Sequence, residues 1–316
     1  SQYSHNPLYP TIWEALVKNR ATGEIEPRAT KGLQYFAQAL SSNTRTAKQL
    51  KTLKKSLTPN AVAIFCIGET PGTEIPGNID DLAAEINAGD KQLFDFFVQN
   101  QVPVVLVMAT GRPRIITEYA NKSTAVLQAY LPGNEGGTAI ANILIGKTNP
   151  SGKLPYTYPR LAGDVVHYDH KSTEKNDKLF GTNAYQPLFD FGHGLSYTTF
   201  TYADLKLSKN KISDSDTIEV SFQLTNSGKF AGHEVVQLYL RDKVGSVVRP
   251  IIELKDFQKI YLNAGETKTV QFRIDKEKLA FYNEQLEWNT EAGDFDVMIG
   301  TSSSDIRLKT TFELVK

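Results

Sequence analysis

Glu69 and Glu74 stand five positions apart in the segment Gly68-Glu69-Thr70-Pro71-Gly72-Thr73-Glu74-Ile75-Pro76-Gly77-Asn78, which two Pro-Gly pairs break into loop. A carboxyl group in an enclosed site can serve as a general acid/base, because burial raises its pKa toward working pH. A carboxylate on an open loop is merely solvated, and composition alone favours that blander reading. Position argues the other way. The segment follows directly on an apolar run over 61–67, and ligands in open α/β sheets bind beyond the carboxyl ends of the strands.

Other residues with chemical potential have plainer readings. Gly146-Lys147-Thr148 ends like a phosphate loop, but the pattern requires a glycine at 141, where Ala141 stands. Gly192-His193-Gly194 is not preceded by the strand that a dinucleotide fingerprint needs. His193 between two glycines reads as a backbone hydrogen-bonding residue. His167 and His170 lie on a Pro/Gly-rich stretch without enough neighbouring ligands for a metal, so they read as surface polar residues. Cys66, the single cysteine, falls in a buried-strand pattern and reads as a small core residue. Arg112 and Arg114 follow a strand end and read as structural ion-pair partners. No Gly-x-Ser-x-Gly elbow is present.

The elements that would position these residues change along the chain. Apolar runs over 61–67, 102–109 and 125–131 read as parallel strands covered on both faces. Between them, 90–100 carries Leu93, Phe94, Phe97 and Val98 on one helical face, and 136–145 gathers Ile140, Ile143 and Leu144. Residues 30–57 also read as helical. Strand–helix alternation implies a layered α/β domain over 1–160. Prolines and glycines then exclude helices from a strap over 161–200. From 201 to 316 the period becomes two: Ile218, Val220, Phe222 and Leu224, then Val236, Leu238 and Leu240, with Asn226-Ser227-Gly228 and Asn263-Ala264-Gly265 as turns. Such spacing implies an immunoglobulin- or fibronectin III-type sandwich, with Tyr239 and Trp288 as core aromatics.

Composition narrows the function. At 316 residues the chain is long enough for about two domains. Lys+Arg and Asp+Glu are both 35, a balance that argues against a nucleic-acid binder or a membrane-surface protein. No apolar run approaches the ~18 residues of a membrane span. One cysteine excludes an intrachain disulfide and a cysteine-based zinc site.

The ordered motifs resemble the C-terminal half of glycoside hydrolase family 3, the β-glucosidase and β-xylosidase family. They are Gly68-Glu69 with Glu74, Gly77-Asn78 and Asp80-Asp81-Leu82; Gly111-Arg112-Pro113; Pro132-Gly133-Asn134-Glu135-Gly136-Gly137-Thr138-Ala139-Ile140; Asn149-Pro150-Ser151-Gly152-Lys153-Leu154-Pro155; and Phe191-Gly192-His193-Gly194-Leu195-Ser196-Tyr197-Thr198. Glu234-Val235-Val236-Gln237-Leu238-Tyr239 and Gly265-Glu266-Thr267 are similar to its fibronectin III-like domain. Residues 1–60 match poorly. The resemblance implies an α/β sandwich, a parallel-type sheet with helices on both faces, followed by an all-β fibronectin III-like sandwich. It further implies exo-acting hydrolysis of β-D-glucosides from the non-reducing end with retention. Glu74 would be the general acid/base, Glu69 a loop-shaping residue, and Asn134 and Glu135 interface or substrate-rim residues. The nucleophile would come from an N-terminal (β/α)8 barrel, for which this chain has no room before residue 60. None of Ser213-Asp214, Ser215-Asp216 or Ser304-Asp305 is followed by the Trp of the family's nucleophile motif.

The expected partners are therefore β-linked glucosides or oligosaccharides, the barrel, and a second copy in a homodimer, with no cofactor, metal, nucleic acid or membrane. The chain alone is expected to be inactive, and a periplasmic or secreted location fits its composition. A β-xylosidase of the same family, a non-catalytic carbohydrate-binding or scaffold protein, and an adhesion module based on the β-sandwich remain as alternatives.

Overall fold

The computed structural model describes residues 44–68, 86, 88–164, 167–171 and 185–315, together with Ile12 and Ala15, both helical. The chain divides into two compact units, 1–148 with 160–163, and 149–159 with 164–316.

In the first unit, helix α1 (Ala47–Ser56) starts at a reciprocal cap. Thr46 Oγ1 accepts from the Gln49 N–H, and Gln49 Oε1 accepts from the Thr46 N–H at 2.8 Å. Three strands follow, β1 (Ala63–Gly68), β2 (Val104–Ala109) and β3 (Ala125–Gln128), in the order β1-β2-β3. They pair in parallel from Ala63↔Val104 to Gly68↔Ala109, and from Val105↔Ala125 to Met108↔Gln128.

The helices cover both faces of this sheet, as the strand–helix alternation implies. On one face Phe94 of α2 (Ala88–Gln99) meets Phe65 of β1 edge-on at 5.4 Å and Tyr119 of α3 (Thr117–Lys122) at 5.0 Å. On the other, Ile64 packs with Ile12, Ala15 and Ala141 of α4 (Gly136–Leu144). Adjacent strand residues point to opposite faces, so Phe65 and Ile64 anchor the two layers. The Thr117 hydroxyl donates to the Arg160 carbonyl, holding that short return of the chain in this unit.

In the second unit, strands β4 (Phe200–Leu207), β6 (Ile218–Asn226) and β9 (Thr267–Ile274) form an antiparallel sheet. Facing it are β5 (Lys211–Ile212), β13 (Ile306–Leu314), β12 (Gly293–Gly300), β7 (Gly232–Asp242) and β8 (Glu253–Leu262), in that order. One core joins Ile218, Val220, Phe222 and Leu224 to Val236, Leu238, Leu240 and Val297. These are the period-two residues, so the alternation read from the sequence is the inward face of a β-sandwich.

From residue 164 on, the described strap residues belong to this second unit, together with 149–159. Leu154 and His193 bond through Leu154 N–H to His193 O at 2.8 Å, and the Gly192 N–H returns to Leu154 O. Tyr158 and Phe189 form an isolated antiparallel bridge. Gly194 passes so close to this strand that a Cβ would lie 2.1 Å from the Gly152 carbonyl oxygen. The obstacle is backbone, which cannot rotate aside. Gly194→Ala should therefore destabilise the second unit by about 1–3 kcal/mol, measured by chemical denaturation. A value within error of zero would show that the strap can shift at no cost.

Buried polar groups fasten the same strap. Lys153 Nζ lies 3.6 Å from Glu234 Oε1 and donates to the Gly194 carbonyl at 2.9 Å, while the Tyr202 hydroxyl donates to Glu234 Oε1 at 3.0 Å. Burial raises the Glu234 pKa, against the lowering pull of Lys153 and then of the Tyr202 hydrogen bond.

Three expectations change, and a fourth gains detail. Trp288 is not in the core: it is 51 % exposed, on the hairpin formed by β10 (Phe281–Tyr282) and β11 (Trp288–Asn289). Its partner strand has only Phe281 buried, and Phe281 and Trp288 take opposite faces. Cys66 is exposed, because β1 alternates buried and exposed positions where a both-faces-buried strand was expected. Its thiol is nonetheless crowded enough by protein to be pushed up to about 11, so it stays protonated at neutral pH. His170 is buried, with Nδ1 2.7 Å from the Lys171 carbonyl and its ring over Tyr185 at 4.1 Å. His193 does bond through its backbone, but its ring stacks on Phe189 at 5.3 Å, and burial followed by Lys153 lowers its pKa.

Candidate active site

The parallel register decides where the candidate residues lie. Gly68, Ala109 and Gln128 end β1, β2 and β3 at one edge of the sheet, since Gly68 pairs with Ala109 and Met108 with Gln128. The turn carrying Arg112 and Arg114 and the turn carrying Asn134 and Glu135 leave this carboxyl edge, and Gly68, the residue before Glu69 in the sequence, ends there too. That edge is where a parallel α/β sheet gathers ligand-binding loops. Glu69 and Glu74 themselves lie outside the described residues.

The two described turns are held together. The Gln128 amide donates to the Thr110 carbonyl at 2.9 Å and to its hydroxyl at 3.3 Å, and the Ala129 N–H donates to Met108 O at 2.7 Å. Thr110 and Arg114 are buried. Sequence reading missed Gln128, although a polar residue closing an apolar strand is the signal that could have found it. Tyr130, next along, takes the left-handed conformation at φ 53, uncommon for a residue with a Cβ and a mark of a constrained loop.

Asn134 and Glu135 are exposed, in the turn that leads into α4. Gly136, the first residue of that helix, is buried against the same turn, where a Cβ would lie 2.7 Å from Pro132. The Pro-Gly-Asn-Glu-Gly sequence is thus a rigid support that presents Asn134 and Glu135 outward. Among the described residues, no group of three or more His, Cys, Asp or Glu side chains is placed to hold a metal ion, and no helix is long and apolar enough to cross a membrane.

A parallel sheet covered by helices, joined in one chain to a fibronectin III-like sandwich, defines a class of two-unit proteins. Comparison with known proteins specifies which. Residues 4–197 match the glycosyl hydrolase family 3 C-terminal domain, and 234–303 match the fibronectin type III-like domain. The chain is 40 % identical over 268 residues to thermostable β-glucosidase B of Acetivibrio thermocellus, covering 81 % of this chain and 35 % of that protein. It is 42 % identical over 274 residues to the periplasmic β-glucosidase of Salmonella typhimurium, covering 80 % and 34 %. Among solved structures, a mutant β-glucosidase of Listeria innocua in complex with laminaribiose superposes with a TM-score of 0.77 at 32 % identity, over 88 % of this chain and 40 % of that one. This chain belongs to glycoside hydrolase family 3 and corresponds to the C-terminal half of its β-glucosidases. It spans about a third of the length of the curated relatives it matches.

Proposed function

We propose that this chain is the C-terminal part of a retaining, exo-acting β-glucosidase and that Glu74 is its general acid/base. A carboxylate from an N-terminal (β/α)8 barrel attacks the anomeric carbon as Glu74 passes its proton to the departing glycosidic oxygen. The C–O bond to the leaving group breaks and a covalent glycosyl-enzyme forms. Water then gives its proton to Glu74 and attacks the same carbon, releasing the sugar with its configuration retained. Glu69, Asn134 and Glu135 shape the loop and the rim of the pocket.

The observation that supports this reading is where β1 ends: Gly68 closes it at the carboxyl edge of the parallel sheet, and Glu69–Glu74 come next in the sequence, within the stretch matched to the family's C-terminal domain. A loop rooted at that edge can lean its carboxyl group over a neighbouring barrel while the sheet stays fixed. The chain alone holds one half of the carboxylate pair and is inactive by itself. The likeness to a periplasmic relative favours a periplasmic or secreted enzyme.

The test is complementation. Alone, the chain should release no nitrophenol from an aryl β-glucoside; joined to the N-terminal barrel of its own full-length polypeptide, it should release it. Turnover by the chain alone would overturn the division of labour. Likeness to a putative β-xylosidase of Formosa agariphila, 39 % identical over 252 residues, favours xylosides as the second substrate class. An aryl β-xyloside run in parallel decides between them.

A further inference from the structure

The β10–β11 hairpin displays what globular surfaces usually hide. Tyr282 and Trp288 are directly opposed across the two strands, with ring centroids 5.1 Å apart and planes tilted by 59°. They are 63 % and 51 % exposed, and Leu286 at the tip is 80 % exposed. The opposite face anchors the hairpin. Phe281 on that face is buried with the Arg249 guanidinium 4.0 Å over its ring, and just past β11 Thr290 is buried with its hydroxyl donating to Asp214 at 2.6 Å. The tip is equally fixed. Asn283 Oδ1 accepts from the N–H groups of Gln285 and Glu287 at 3.0 and 2.9 Å. Leu286 is held at φ 61, a conformation costly for a residue with a Cβ. The indole N–H of Trp288 is already engaged by Glu277 at 3.2 Å. What the ring offers outward is therefore its face rather than its donor.

We propose that this hairpin is a glycan-binding platform, with the Trp288 ring stacking on the C–H face of a neutral β-linked pyranose, the tilted Tyr282 ring flanking that sugar, and the acidic and amide groups of the hairpin accepting its hydroxyl protons. A pyranose ring has one apolar face and a polar rim, which suits an aromatic face edged by acceptors. Glu277 bonds the Trp288 indole itself, Asn283 Nδ2 reaches Glu287 at 3.4 Å, and Glu284, Gln285 and Glu287 are exposed along the same hairpin. The carboxylates disfavour polyanions such as nucleic acid or acidic lipid. Three apolar side chains on so short a hairpin also fall far below the roughly 800 Å² per partner of a stable dimer. The choice of a β-glycan rests on the β-glucosidase reading above; the platform itself rests on the hairpin.

The experiment is native electrophoresis of the whole 316-residue chain through gels containing laminarin or mixed-linkage β-glucan. It compares wild type, Trp288→Ala and Tyr282→Ala. We expect the wild type to be retarded, and both variants to bind more weakly, Trp288→Ala by at least about tenfold. In a Trp13→Phe background the remaining indole should show a saturable fluorescence shift on adding glucan, which tests the contact without removing Trp288. Circular dichroism confirms folding of each variant. Absence of wild-type retardation on both glucans, or equal retardation of Trp288→Ala, would overturn the platform. So would a change of oligomeric state in Trp288→Ala, seen by sedimentation, which would assign the rings to a protein contact. Acid/base catalysis is scored separately, by turnover of the full-length enzyme, so failure here leaves the Glu74 assignment standing, and the converse.

Discussion

In the full-length enzyme, Glu74→Gln should lower kcat/KM about 10²–10⁴-fold on a β-glucoside with an alkyl or sugar leaving group. Such a leaving group departs as a strongly basic alkoxide unless it is protonated in the transition state, and glutamine has no proton of the right acidity to give. A dinitrophenyl glucoside leaves as a stable phenolate, so its glycosylation step should be nearly unchanged. Water must still be activated in the second step, so the glycosyl-enzyme should accumulate, with kcat and KM falling together on this substrate. The basic limb of the kcat/KM profile should also disappear, because that limb reports loss of the acid's proton. Glu69→Gln separates the two carboxylates. A loop-shaping residue raises KM with less effect on leaving-group dependence, whereas a proton donor reproduces the full pattern.

The second large effect is on stability. Lys153→Met removes the cation that faces Glu234 and leaves a buried carboxylate accepting only from Tyr202. Removing one partner of a buried pair costs about 3–5 kcal/mol when the remaining group must stay charged. Glu234 can escape by binding a proton, at about 1.4 kcal/mol for each pH unit above its unfolded value. Its folded pKa is already raised by burial. Its contribution to stability is therefore fully present below the unfolded glutamate pKa and is lost as pH rises through the folded value. Without Lys153 the folded value climbs further. The variant should lose roughly 3 kcal/mol at pH 8, and about 1 kcal/mol or less at pH 5, where protonation is cheap. At pH 8 that corresponds to a fall of about 6–12 °C in the melting of the second unit. Adding Glu234→Gln should restore most of the loss at pH 8. A loss independent of pH would mean that the lysine acts through its packing alone.

The β-sandwich was legible because period two is a strong signal where one face of a strand is buried. Ile218, Val220, Phe222 and Leu224 all lie in the core. The same rule, followed one residue further, would have exposed the Lys153–Glu234 tether. Glu234 continues the inward series of Val236, Leu238 and Leu240, and a carboxylate in register with a core must have a partner. The parallel sheet was legible as apolar runs, but a run cannot say which faces are covered. That is why Cys66 was expected inside and lies outside. Trp288 misled for a different reason. Aromatic content suggests burial, yet cross-strand register places Trp288 beside exposed Tyr282 and opposite the face of Phe281. His170 lies in a stretch without periodicity, where tertiary packing against Tyr185 decides burial and no local pattern announces it. For the candidate site, the sequence alone names the carboxylates. The structure adds that β1 ends at Gly68 on the carboxyl edge of the sheet, and which described turns share that edge.

The central claim is that Glu74 gives and takes the catalytic proton. The most direct measurement is azide rescue of Glu74→Ala in the full-length enzyme with dinitrophenyl β-glucoside. Azide needs no base to attack the glycosyl-enzyme: it bonds to the anomeric carbon as the nucleophilic carboxylate departs. The account predicts turnover that rises with azide and a product that is the β-glucosyl azide. Unchanged turnover with glucose as the sole product, or rescue by azide of Glu69→Ala in its place, would contradict it.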